Sequence, residues 1–165
     1  MKNRGRAYIV AFAFLTMMSC SLNICGYRQG YEREQLNDTQ WITQAGDSYT
    51  FSRREGTVLP NSATLRFSRF FGKETLWTVK VQQAGSLHIG LSIISPQGPF
   101  EVVMVETETK RLIRIAQHLG SSENTYHLEK GIYCIKILGY DASGTVAISL
   151  RAPHGMVCEV STMRF

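Results

Sequence analysis

The segment SLHIGLSII, residues 86–94, places Leu87, Ile89, Leu91 and Ile93 on one side of an extended chain and His88, Gly90 and Ser92 on the other. Successive side chains of a strand point to opposite faces, so this spacing fits a half-buried strand and no helix that buries the same residues. The pattern recurs along the chain. ATLRFSRFF separates Leu65 and Phe67 from Arg66 and Ser68, and TLWTVKVQ separates Trp77, Val79 and Val81 from Thr78 and Lys80. GIYCIKIL sets Tyr133, Ile135 and Ile137 against Cys134 and Lys136, and TVAISL turns Val146, Ile148 and Leu150 inward. FEVVMVE, RLIRIAQ and TYHLEK add further short runs, and residues 96–98 and 141–144 carry turn chemistry. Gly72-Lys73-Glu74-Thr75 reads as a hairpin turn.

Past residue 45 no stretch has the pattern of a long helix. The expectation is therefore all-β: an antiparallel β-sandwich, jelly-roll-like, over residues 48–151. Its predicted interior holds Trp77, Val79, Leu87, Ile89, Leu91, Tyr133, Ile135, Ile137, Val146 and Ile148. Alternation rather than continuous apolarity means that each sheet keeps one wet face.

The formal charge of +5 invites a nucleic-acid reading. However, Lys2, Arg4 and Arg6 crowd the N-terminal tip. Setting those three aside leaves 15 of the 18 Lys and Arg against 13 Asp and Glu, a balance of +2. The rest are scattered apart from Arg53-Arg54 and Lys110-Arg111, so no basic patch forms and no nucleic-acid partner is expected.

The tip leads into an apolar run, Ala7 to Met18, and then Ser19-Cys20. A positive tip and a short apolar stretch make a secretory signal peptide, residues 1–19, too short to span a bilayer comfortably. The region resembles a bacterial lipoprotein signal, in which a small residue precedes a cysteine that is acylated and becomes the mature N-terminus. Ser19 fits that position, while Met17 departs from the leucine usual three before the cysteine. Cys25 fits worse, since Ile24 stands where a small residue belongs. Cys20 is thus the expected lipidation site, with ordinary cleavage and plain secretion as the alternative. Residues 20–47 follow as a lipid-anchored, polar tether, and residues 152–165 as a tail packing on the sandwich. The triplet Asn37-Asp38-Thr39 matches a glycosylation acceptor by coincidence.

YHLEKGIYCIKILGYDASGTVAISL is similar to the closing strands of bacterial pre-peptidase C-terminal domains, small sandwiches on exported proteins. The resemblance spans residues 64–151 in outline and rests on strand-and-turn grammar. It implies an accessory module that binds or stabilises. The Asp-rich early strand of many members is missing here, so calcium is not carried over.

Catalytic spacings do not appear. His88, His118, His127 and His154 form neither HxH nor HExxH, and no GxSxG elbow occurs. His127 and Glu129 share a strand face, which a solvated surface explains. Glu106 and Glu108 read as edge charges that discourage sheet-to-sheet aggregation. No metal and no cofactor are expected.

Trp41, Tyr126 and Tyr140 lie outside the clearest inward faces and are candidate ligand-binding aromatics, whereas Trp77 alternates with core residues. Cys134 shares the wet face with Lys136, and Cys158 sits on the tail that follows the last strand. A Cys134–Cys158 disulfide would close a loop of about 25 residues and add roughly 3 kcal/mol, with Cys25 competing for either partner. The functional expectation is a non-catalytic envelope lipoprotein, lipid-anchored outside the cytoplasm. Its sandwich binds an envelope protein or glycan or has a structural role. The alternatives are a carbohydrate-binding module using Trp41, Tyr126 or Tyr140 and a small extracytoplasmic hydrolase.

Overall fold

The computed structural model describes residues 33–116 and 120–161. The signal segment, Cys20, Cys25 and His118 lie outside the described residues. Residues 33–35 are helical, and a short helix, α1 (Thr39–Thr43), then precedes nine strands. These are β1 (Ser48–Thr50), β2 (Arg53–Leu59), β3 (Ser62–Val81), β4 (Gly85–Gln97), β5 (Phe100–Glu106), β6 (Leu112–Ala116), β7 (Gly120–Leu128), β8 (Gly131–Arg151) and β9 (Met156–Val160). Every pairing is antiparallel. The protein is an all-β sandwich.

Two strands organise it. β3 and β8 run side by side for about twenty residues and serve both layers. The first half of β3 and the second half of β8 join β2, β4 and β7 in the order β2-β3-β8-β4-β7. The other halves join β5 and β6 in the order β3-β8-β5-β6, with β1 and β9 on the free edge of β3. One continuous sheet is thus folded over on itself, and the order within each layer is that of a jelly roll.

The fold-over has local causes. Register shifts interrupt the β3–β8 ladder between Phe67 and Phe70 and again between Phe70 and Gly72. Arg69, Gly72 and Asp141 take positive φ there. Bulges of this kind bend a strand and increase its twist. The hairpin expected at residues 72–75 and the turn expected at 141–144 are therefore corrected: both stretches stay inside long strands as bends. Their Gly, Asp and Ser residues signal non-standard backbone, and the ladder on either side keeps the chain extended.

Between the layers lies one core. All ten residues predicted to be inside are buried in it. Trp77 is fully enclosed, and its Nε1 donates to the carbonyl of Leu59 at 2.7 Å, tying the second layer to strand β2 of the first. Burying one such side chain contributes about 2–3 kcal/mol. At the bend Phe70 stacks on Phe51 with centroids 4.4 Å apart, and Phe67 stacks on Phe100 at 4.9 Å. A Cβ on Gly139 would strike the Phe70 ring, so glycine is what lets that ring seat. At the open edge of the sandwich, Arg54 of β2 grips the nearly buried Glu74 of β3 at 2.7 Å.

The expected Cys134–Cys158 disulfide is not made; both cysteines are free thiols. Residues 156–160 of the predicted tail form β9, which pairs with β3 and places Cys158 opposite Val79. Cys134 on β8 stands opposite Thr78. Adjacent positions of β3 face opposite sides of the sheet, so one thiol points to the core and the other to the outer face. The two strands also flank β3, about two interstrand spacings apart. Burial pushes both thiols above their ordinary pKa.

Candidate functional site

Both layers carry a concavity on their outer faces. On the first, the outward positions of four neighbouring strands are mostly small. Register sets Ser62 beside Ser149, Ser149 beside Gly90, and Gly90 beside Glu123. The next row runs Thr64, Ala147, Ser92, Ser121. With Glu123 the one long side chain in these two rows, the sheet surface dips into an open trough of about 520 Å³. Ser149 Oγ occupies the space over Gly90, at 2.5 Å from where a Cβ would stand. Ser121 Oγ donates to Ser92 Oγ at 3.2 Å. The exposed pair Glu123–Arg151, 3.7 Å apart, and the His88 Nδ1–Thr125 Oγ1 contact at 2.8 Å border it at one end.

The second layer's outer face is largely covered. Asp38 caps α1, accepting from the Gln40 and Trp41 amides, and the chain after α1 is tied down by two buried lysines. Lys73 Nζ donates to the carbonyls of Trp41 and Gln44. Lys136 Nζ donates to the Gly46 carbonyl and to Asp47 Oδ1, both at 3.2 Å. Asp47 also accepts from the Thr75 amide at 3.0 Å and the Thr75 hydroxyl at 2.6 Å. Burial, and then the Lys136 charge, push Lys73 down to about 8, while Asp47 holds it up. Residues 38–47 are therefore an integral strap, although the sequence places them in a tether. Beside the strap Asp38, Gln40, Trp41, Thr43, Gln44 and Lys110 line a second cavity of about 440 Å³.

The three candidate aromatics are not brought together. Trp41 lines the cavity beside the strap. Tyr126 stands opposite Leu87 on edge strand β7, half-buried against the core, and burial raises its hydroxyl pKa. Tyr140 lies at the bend, edge-on to Phe71 with centroids 5.4 Å apart. His127 and Glu129 approach to 3.7 Å but are 65% and 74% exposed, outside both cavities. Among the described residues, no three His, Cys, Asp or Glu side chains converge in a way that could hold a metal. No helix among them is long and apolar enough to cross a membrane.

The trough residues escaped sequence reading. Alternation put Gly90 and Ser92 on a wet face, but only strand order shows that Ser62, Ser149 and Ser121 join them.

No protein-family model matches the chain, and no curated protein matches it. Among solved structures it is similar to an exo-β-1,3-galactanase from Phanerochaete chrysosporium with galactose, at 16% identity and a TM-score of 0.36. That match covers 65% of this chain and 30% of the galactanase chain. It is also similar to a family 35 carbohydrate-binding module from an environmental isolate, at 12% identity and a TM-score of 0.33. That match covers 72% of this chain and 84% of the module. Likeness at this level carries no functional argument. What the fold and these surfaces define is a sandwich with open concavities of mixed polar and apolar lining on both outer faces.

Proposed function

We propose that the protein is a non-catalytic cell-envelope lipoprotein, anchored through acylated Cys20, whose sandwich binds a glycan chain in the hydroxyl-lined trough. The observation that carries the reading is the trough itself. Serine and threonine hydroxyls both donate and accept, which matches the hydroxyls of a sugar ring group for group. Ala147 leaves room for the apolar face of a ring to rest on the sheet. An open floor without an enclosed titratable pair suits holding a chain rather than cleaving it. The resemblance to pre-peptidase C-terminal domains supports the same accessory role. The trough lies on the face opposite Trp41, and Tyr126 and Tyr140 stand outside it.

Two measurements test the parts separately. On a glycan array and on isolated cell-wall polysaccharide, Ala147→Phe is expected to lower retention at least tenfold with the unfolding midpoint unchanged, because the ring fills the trough and leaves the core untouched. Unaltered retention would remove the trough as the site. Metabolic palmitate should label the wild type and not Cys20→Ala; equal label in both eliminates the anchor and leaves secretion.

A further inference from the structure

We infer that Trp41 forms a second, independent sugar subsite, for a single neutral pyranose ring, on the outer face of the sheet opposite the trough. The inference deepens the glycan reading and uses different residues. Trp41 is held at two points. Its carbonyl accepts from Lys73 Nζ, and the same ammonium lies 4.9 Å from the indole centroid. Lys73 is buried, so the cation braces the covered side of the ring. The half-exposed indole contributes to the open cavity wall. It is a fixed flat surface, and fixing it in advance lowers the entropy lost when a ligand stacks.

The rim defines what stacks there. Gln40 on α1 and Gln44, the extended residue that caps its C-terminus, both line the cavity and offer amide donors and acceptors. Asp38 and Lys110 add one carboxylate and one ammonium, so the rim is charge-balanced. A cationic ligand is disfavoured, because Lys73 already sits against the indole. A pyranose meets both requirements: its C–H face covers the aromatic surface, and its hydroxyls bridge amide, acid and amine. The two cavities open on opposite faces of the sandwich, so occupancy of one leaves the other free.

The chain has two tryptophans, and Trp77 is fully enclosed with its N–H satisfied, so a ligand-dependent change in indole emission reports Trp41. Methyl glycosides of glucose, galactose and N-acetylglucosamine are titrated into the full-length protein in a sugar-free zwitterionic detergent. A saturable emission change is expected with at least one of them in both wild type and Ala147→Phe. It should weaken at least tenfold in Gln44→Ala/Lys110→Ala, whose exposed side chains leave the strap's backbone contacts in place. No saturable change with any of the three glycosides overturns the subsite, as does a change that survives the double substitution. A response lost in Ala147→Phe overturns its independence. Because trough binding is scored on the array with the same Ala147→Phe protein, failure of the Trp41 subsite leaves that result standing, and the converse holds.

Discussion

Asp47→Ala is expected to destabilise the fold by about 3–5 kcal/mol, the loss that follows when one partner of a buried ion pair is removed. The side chains of Lys136 and Asp47 are only 4% and 3% exposed. Without the carboxylate, Lys136 keeps a single carbonyl acceptor, Gly46, and the Thr75 amide and hydroxyl lose their partner. Lys73 also suffers, because Asp47 is what holds its pKa up against burial and the Lys136 charge. Two ammonium groups are then left together in a poorly solvated layer.

This makes the deficit pH-dependent with a definite sign. Lys73 titrates near 8 in the folded protein against 10.5 for the unperturbed group, so between those values the unfolded chain binds more protons and stability rises with pH. Removing Asp47 lowers the folded value further, which widens that window. The gap between Asp47→Ala and wild type should therefore narrow from pH 7 to pH 9.5 in denaturant unfolding. A pH-independent gap would mean that the lost hydrogen bonds, and not the uncompensated charge, set the cost. The double variant Asp47→Ala/Lys136→Met should recover much of the loss, since an apolar chain needs no counter-ion.

That strap shows where sequence reading stops. Core positions were legible because a period of two, repeated over many strands, leaves a single register that buries Leu87, Ile89, Tyr133 and Ile135 together. The covering of the second sheet was not. Val103, Val105 and Leu138 are buried on its outer face, and FEVVMVE does read as nearly continuous apolarity. That run signals a strand covered on both faces. Nothing in the polar stretch before residue 48 says that Ile42 and the backbone of residues 41–46 belong to the cover. Lys73 and Lys136 look like ordinary wet-face lysines until the strap's carbonyls are placed over them.

The site was half legible for the same reason. Trp41 stood out as an aromatic with no core assignment, and it lines a cavity. The outward residues of the trough are small apart from Glu123, and they come from four strands that are distant in sequence and adjacent in the sheet. Cys134 and Cys158 were misjudged at a similar step. The wet-face assignment of Cys134 depends on local alternation, whereas the face of Cys158 depends on which strand the tail joins and in what register.

Gly72→Ala and Gly46→Ala form a controlled pair that tests whether the bend in β3 is set by steric necessity. Both glycines have positive φ, +105° and +84°. A side chain at either position therefore meets backbone strain of about 1–2 kcal/mol. They differ in surroundings. A Cβ on Gly46 has nothing within 4 Å, whereas on Gly72 it would run into the Ser48 carbonyl oxygen and lie 2.9 Å from Tyr49 Cα. Those atoms belong to β1, whose register pairs Tyr49 with Gly72, so relief requires β1 to lift from β3. Lifting β1 pulls on the adjoining Asp47 and so on the strap. Gly46→Ala should cost about 1 kcal/mol. Gly72→Ala should cost about 3 kcal/mol or more once overpacking against fixed backbone is added. Its Lys73 should also become more exposed, read as faster modification of that amine by acetic anhydride. Equal losses in the two variants would show that strain alone acts and that β1 is free to move. A larger loss at Gly72 with Lys73 still protected would place the damage in the bend and separate it from the strap.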